Sequence, residues 1–181
     1  NLVGRGWKLS YEVELHGSAT AIQIIEADGT RRIFSRDPRN PSLCASADPA
    51  QGTVRVSRSG RGDEFLWQQN DGTQLSFNNA GKLIQILAPT GEFVALQHDR
   101  AGLLLSVTDP QGRQLRLNYL DRQAGRGGDA FRGVQSFDSP LGRYSYGHGA
   151  PLPKGASVDN ALLLASLVSV RYPDQLQGRD Y

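Results

Sequence analysis

The three histidines of this 181-residue sequence, His16, His98 and His148, are the first residues to test for chemistry. Each falls at the end of a stretch that reads as a β-strand. No two have the H-x-x-x-H spacing with which an element presents a metal, so they read as polar strand-end side chains. Asp138, Ser139 and His148 have the residue types of a nucleophilic triad. No G-x-S-x-G elbow marks the serine, however, and no helix follows it. Asp63 and Glu64 are neighbours at a strand start, which turns their carboxylates to opposite faces and away from joint acid–base work. Gly125-Arg126-Gly127-Gly128 lacks the Lys-Ser/Thr ending and the strand-to-helix setting of a phosphate cradle, and reads as loop. The expectation is a chain with no catalytic residues, no metal ligands and no cofactor, and thus not an enzyme.

Trp7, Phe65, Trp67, Phe77, Tyr119, Tyr144 and Tyr146 could form a sugar-binding platform if exposed. Most of them alternate with aliphatic residues, which predicts core packing. With 20 basic and 18 acidic side chains the formal net charge is +2, too small to argue for nucleic acid or an anionic membrane. The densest basic group, Arg55, Arg58 and Arg61, has no aromatic interleaving and reads as a solvated face. The single cysteine, Cys44, makes no internal disulfide and reads as a small buried side chain. No run of 18 apolar residues predicts a membrane span; the longest apolar cluster is Ala161-Leu162-Leu163-Leu164-Ala165. The sequence opens at Asn1 without a signal-peptide pattern and contains no methionine, so it reads as a processed or excised piece.

The elements that would hold these residues are strands. Trp7, Leu9, Tyr11, Val13 and Leu15 alternate with Lys8, Ser10, Glu12 and Glu14, which predicts a long half-buried strand. The pattern recurs at Leu115, Leu117 and Tyr119, and more briefly at Val54 and Val56, at Tyr144 and Tyr146, and over Leu167 to Tyr172. Few windows keep helical spacing; Ala161 to Ala165 could form one helical turn.

Turn signals separate the strands. Asp28-Gly29 and Asp71-Gly72 predict two-residue hairpin turns. Asn79-Ala80-Gly81, Pro89-Thr90-Gly91, Arg100-Ala101-Gly102 and Asp109-Pro110-Gln111-Gly112 are further turns. Gly72, Gly81, Gly91, Gly102 and Gly112 stand 9, 10, 11 and 10 residues apart, the length of one strand plus a turn. Residues 80–89 resemble residues 101–110, 21 positions on. Such a period marks stacked units, none of which buries its apolar face alone. It breaks after Tyr119, where Ala124 to Gly133 reads as an insertion loop. A shorter unit resumes at Leu141 to Tyr146, a second loop spans Gly147 to Asn160, and Gly178 to Tyr181 reads as the opening of one more strand. The expected organisation is an opening region over 1–61 with long strands and the Asp28-Gly29 hairpin, hairpin repeats over 62–120, and divergent repeats with two insertion loops over 121–181. The divergent part is expected to continue past Tyr181.

The run Gly102 to Gly112 followed by Arg113, Leu115, Leu117 and Tyr119 resembles the G-x-L-x-x-V-x-D-P-x-G-R…Y pattern of Rhs/YD-repeat proteins. Gly4-Arg5-Gly6-Trp7 resembles the G-x-G-W opening that precedes their first repeats. The hairpins Asp28 to Phe34 and Asp71 to Phe77 fit the same region. The resemblance covers most of the chain and is closest over 62–120. It implies an all-β fold of antiparallel hairpin repeats forming a curved open sheet, part of a hollow cocoon around a C-terminal toxin used in competition between bacteria. It also implies partners: the rest of the same polypeptide including that toxin, and secretion machinery, often of type VI. The site implied is a secreted or delivered one, reached from the cytoplasm. The family's cleavage aspartates are not carried onto Asp109, which sits in a repeat turn. The alternative reading is an extracellular β-sandwich that binds carbohydrate or a cell surface.

Overall fold

In the computed structural model, residues 2–3, 7–60, 62–120, 133–149, 167–173 and 179–180 are described, the last pair as backbone. The predicted helical turn at 161–165, the loop glycines 125–128, Arg61, the G-x-G start of the opening motif, Gly178 and Tyr181 lie outside them, as do most residues of both insertion loops. The chain divides into two compact units, Ser10–Gly112 and Asn1–Leu9 with Arg113–Tyr181.

The first unit is an antiparallel meander in strict chain order: β1 (Glu14–Gly17), β2 (Ala21–Ile25), β3 (Arg31–Arg36), β4 (Leu43–Ala45), β5 (Thr53–Ser59), β6 (Gly62–Gln68), β7 (Gln74–Phe77), β8 (Leu83–Leu87), β9 (Phe93–His98) and β10 (Leu104–Thr108). A single 3-10 turn, Pro49–Gln51, leads into β5. The second unit continues the pattern with β11 (Gln114–Tyr119), β12 (Val134–Ser139), β13 (Gly142–His148), β14 (Leu167–Arg171) and β15 (Arg179–Asp180), each paired antiparallel with the next. The chain is all-β, built of antiparallel hairpin repeats in open sheet. This order is not that of a sandwich, in which two sheets exchange strands. The predicted strands at Leu115 to Tyr119 and Leu167 to Tyr172 are β11 and β14, and the tail supplies β15.

Cross-strand register explains the core. Cys44 faces Val54, Val54 faces Trp67, Trp67 faces Leu75, Leu75 faces Ile86 and Ile86 faces Val94. These residues form one apolar row across six strands, because neighbours directly opposite in a ladder share a face. Cys44, Val54 and Trp67 are fully buried. Ile86 and Val94 are only half-buried, so the row runs from a filled interior to a partly uncovered one. The reverse face of the same strands carries Gln68 opposite Gln74 and Ser76 opposite Gln85.

The long strand expected over Trp7 to Leu15 is shorter than its alternation. Only Glu14–Gly17 is strand, paired with Ile25–Ile22. β2 ends at Ile25, where the turn into β3 begins, so β2 offers no ladder partner to residues before Glu14. Period 2 assigns faces, and it leaves open whether a partner exists. Val13 and Leu15 are buried as their alternation implies, while Trp7 is 49 % exposed.

The Asp-Gly turns also differ from expectation. The Glu26 N–H donates to Thr30 O (2.9 Å) and the Gly29 N–H to Glu26 O (2.9 Å), which closes a three-residue loop with a left-handed third residue. The same pair of bonds recurs at Gln69/Gly72/Thr73, Asn78/Gly81/Lys82, Ala88/Gly91/Glu92 and Asp99/Gly102/Leu103. This is the type I turn with a glycine bulge, and φ of +71° to +91° at those glycines is the geometry it demands. Two side-chain devices reinforce it. In the Asp-Gly turns, Asp28 and Asp71 accept from the N–H two residues on (2.8 Å each). In alternate turns Asn78 and Asp99 stand at the first position and each accept two N–H groups, those of Ala101 and Leu103 at 2.8 Å for Asp99. Asp99→Ala is expected to cost about 1–2 kcal/mol of unfolding free energy and Asp99→Asn about 0.5 kcal/mol or less. Urea melts of the two variants check this, and equal losses would show that the side-chain acceptor is not what matters.

A second hairpin type went unnoticed in the sequence. Ser59 pairs with Gly62 and Ser139 with Gly142. In each, the serine hydroxyl donates to the glycine carbonyl (3.1 and 3.0 Å), and the glycine has φ of +119° or +120°. The signal was S-x-x-G, present at both places.

Candidate functional site: faces and edges of the repeat sheet

Ser139, Asp138 and His148 share one hairpin but do not meet. Ser139 sits at its turn, where its hydroxyl donates to Gly142 O and accepts the Leu141 N–H at 3.2 Å. His148 Nε2 lies 2.7 Å from Val134 O. A carbonyl oxygen only accepts, so this nitrogen carries the hydrogen and is not a free base. Val134 is five residues from Ser139 on β12, about 17 Å at strand rise.

Asp138 is engaged across strands. It accepts two bonds from the Arg143 guanidinium (2.5 and 3.1 Å) and one from Asn118 Nδ2 (2.8 Å). The bonds from Arg143 and then Asn118 hold its carboxyl below the usual carboxylate range, and the Arg143 guanidinium is raised by the same contact. With Arg116 opposite Asp138 in the β11–β12 ladder, this is a charged stripe that pins register over three strands.

Asp63 pairs with Arg58 across the β5–β6 ladder at 3.0 Å, while Glu64 points to the exposed face. The adjacent carboxylates are divided between faces as their spacing implies. Arg55 and Arg58 are exposed. Cys44 is fully buried in the apolar row, and burial pushes its thiol up from the ordinary value. Among the described residues no cluster of His, Cys, Asp and Glu could hold a metal.

The aromatic residues are mostly spent on packing. Trp67 is 1 % exposed, meets Phe34 edge-to-face at 6.1 Å, donates its indole N–H to Gln51 O (2.8 Å) and lies under Arg32 at 5.7 Å. Phe65 and Phe77 are buried and face each other across β6–β7. Phe137 meets Tyr146 at 5.2 Å and Tyr144 meets Tyr172 at 5.8 Å, both edge-to-face. No platform of parallel exposed rings is assembled from these residues.

Clefts open on the first unit, two of them lined by described residues. The larger, about 610 Å³, is lined by Leu15, His16, Gly17, Arg36, Asp63 and Asn79 among others. Its arginine already donates to Ser18 O (3.0 Å) and Pro41 O (3.1 Å). The smaller, about 340 Å³, runs beside Glu26, Arg32 and Trp67, where Glu26 pairs with Arg32. What remains to act is the sheet itself: an apolar face that is filled at β2–β7 and, at β8–β9, buried at Leu83 and Leu96 but half-covered at Ile86 and Val94.

Residues 77–114, from the last residue of β7 to the first of β11, match the family model of the RHS Repeat. That stretch carries an RHS repeat, which supports an Rhs/YD-repeat protein. Among curated proteins none matches the chain. The matched stretch holds the β8–β9 hairpin and β10, with the glycine-bulge turns at Gly81, Gly91 and Gly102. In an Rhs/YD-repeat protein this repeat is a structural unit. No helix among the described residues is long and apolar enough to cross a membrane.

Proposed function

We propose that this Rhs/YD-repeat segment is a non-catalytic piece of the wall of a β-cocoon that encloses a C-terminal toxin of the same polypeptide, for competition between bacteria. Its partners are then the remaining repeats, the enclosed toxin and the machinery that delivers the protein out of the producing cell, with type VI secretion as the route. Containment needs a sheet that can be extended strand by strand and that offers one face to the interior. The observation that carries the reading is the coincidence of the RHS-repeat match with strands β8–β10, which bury Leu83, Leu96, Leu104 and Val107 and leave Ile86 and Val94 half-covered. A sheet face covered on both sides by its own domain would have no room for contents.

Limited proteolysis of the natural polypeptide that carries this segment tests the proposal. The C-terminal region is expected to resist trypsin while the repeats are intact, and to be cut at least about tenfold faster after mild urea opens them. Equal cutting rates before and after opening, or rates equal to those of the isolated C-terminal region, would overturn it.

A further inference from the structure

Among the described residues β1 pairs along its length with β2, and its other edge meets the turn between β7 and β8. The Leu15 N–H donates to Gly81 O (2.9 Å), Glu14 bridges to Lys82, and Lys82 Nζ reaches Glu14 Oε1 at 2.5 Å. The stem of Lys82 then runs against the β9–β10 turn, close enough that a methyl on Gly102 would sit 3.1 Å from its Cε. His98, the last residue of β9, falls opposite Lys82 when the β8–β9 register of Gln85 with Ala95 and Ile86 with Val94 is extended, and the Lys82 charge acts on it. Its Nδ1 is buried and has no hydrogen-bond partner among the described residues.

We propose that this contact is an acid-sensitive latch, which holds β1 against the β7–β8 turn while His98 is neutral and lets it go when His98 takes up a proton beside Lys82.

A protonated imidazole carries N–H on both ring nitrogens, and the buried Nδ1 has no acceptor to receive one. The charged groups acting on His98 are Lys82 ahead of β8 and Asp99 at the start of the β9–β10 turn, with Glu14 of β1 reached through Lys82. Oδ1 of Asp99 is committed to the backbone N–H groups of Ala101 and Leu103, which limits what it offers a cation. A proton on His98 thus adds a like charge beside Lys82 and repels the ammonium from the position in which it pairs with Glu14. Burial first, and then Lys82, hold the imidazole below its ordinary value, against the smaller opposing effect of Asp99. A depressed histidine stabilises the fold above its unfolded value of about 6.5, and that contribution is lost as pH falls through the lowered folded value. His16 Nε2 lies 3.7 Å from Glu14 Oε2 on the same strand.

Hydrogen exchange of the Leu15 amide in the 181-residue chain, corrected for intrinsic rates, tests the latch. Protection is expected to fall about tenfold or more between about pH 7.5 and about pH 5, and to change by about twofold or less in His98→Gln. His16→Gln should keep the full fall. In parallel, the His98 ring titration followed by NMR should move up in Lys82→Met. A flat profile in the natural sequence overturns the proposal, as does an equal fall in His98→Gln. Should that variant not fold, an unchanged His98 titration in Lys82→Met overturns it alone.

Discussion

Gly81→Ala is expected to lower the stability of the Ser10–Gly112 unit by about 3–6 kcal/mol, enough to unfold a marginal domain. Two effects add. Gly81 has φ +71°, a conformation that costs a side-chain-bearing residue about 1–2 kcal/mol. A Cβ there would also lie 1.8 Å from Leu15 O and 2.9 Å from Leu15 C, so backbone has to move. That movement breaks the Leu15–Gly81 hydrogen bond and lifts β1 off the turn, at about 1 kcal/mol for the bond and about 1–3 kcal/mol for the overpacking. Gly91 is the internal control. It has the same turn and φ +90°, but a Cβ there meets nothing within 4 Å, so Gly91→Ala should lose only the conformational part. Urea midpoints at unchanged slope measure both. Equal losses at the two positions would mean that the β1 contact contributes nothing to stability.

Trp67→Ala should cost about 3–5 kcal/mol, the range for removing a large buried aromatic residue. Trp67 sits mid-row between Val54 and Leu75, stacks edge-to-face on Phe34 and supplies the donor for Gln51 O. Its loss opens a cavity in the filled part of the interior and leaves a carbonyl without that donor. Trp67→Phe keeps most of the ring packing and should lose about 1–2 kcal/mol, mainly through the hydrogen bond. Trp7, the other tryptophan, is 49 % exposed, and Trp7→Phe should lose about 1 kcal/mol or less. That variant also leaves Trp67 as the one fluorophore of its kind, so its emission reports unfolding of the first unit directly. A Trp67→Ala loss no larger than that of Trp7→Phe would contradict the packing described here.

These two residues also mark how far the sequence could be read. Alternation placed Trp67 on the face shared with Phe65, and that face is the core. The same alternation placed Trp7 in a strand, and Trp7 is half-exposed outside any strand. Trp67 lies in a strand paired on both sides, by β5 and β7, whereas the strand at this end begins only at Glu14. The bland reading of the candidate triad followed from missing context. Its separation, by contrast, needed the register that puts Ser139 at a turn and His148 beside Val134. The Asp-Gly turns were visible as turns, but their loop length depends on which backbone groups bond across the hairpin, and that is set by the strands on either side.

The primary structure by itself determined the all-β class, the ten-residue rhythm of glycine turns and the apolar face of most strands. Each of these is local, since turn conformation and side-chain alternation are decided within a few residues. Only the tertiary structure decided that β1 closes onto the Gly81 turn, that Cys44, Val54 and Trp67 line up with Leu75, Ile86 and Val94, and that His98 buries its Nδ1 within reach of the Lys82 charge. Those arrangements join residues up to 68 positions apart, as in the Glu14–Lys82 pair, and they follow from register and bending accumulated over many strands.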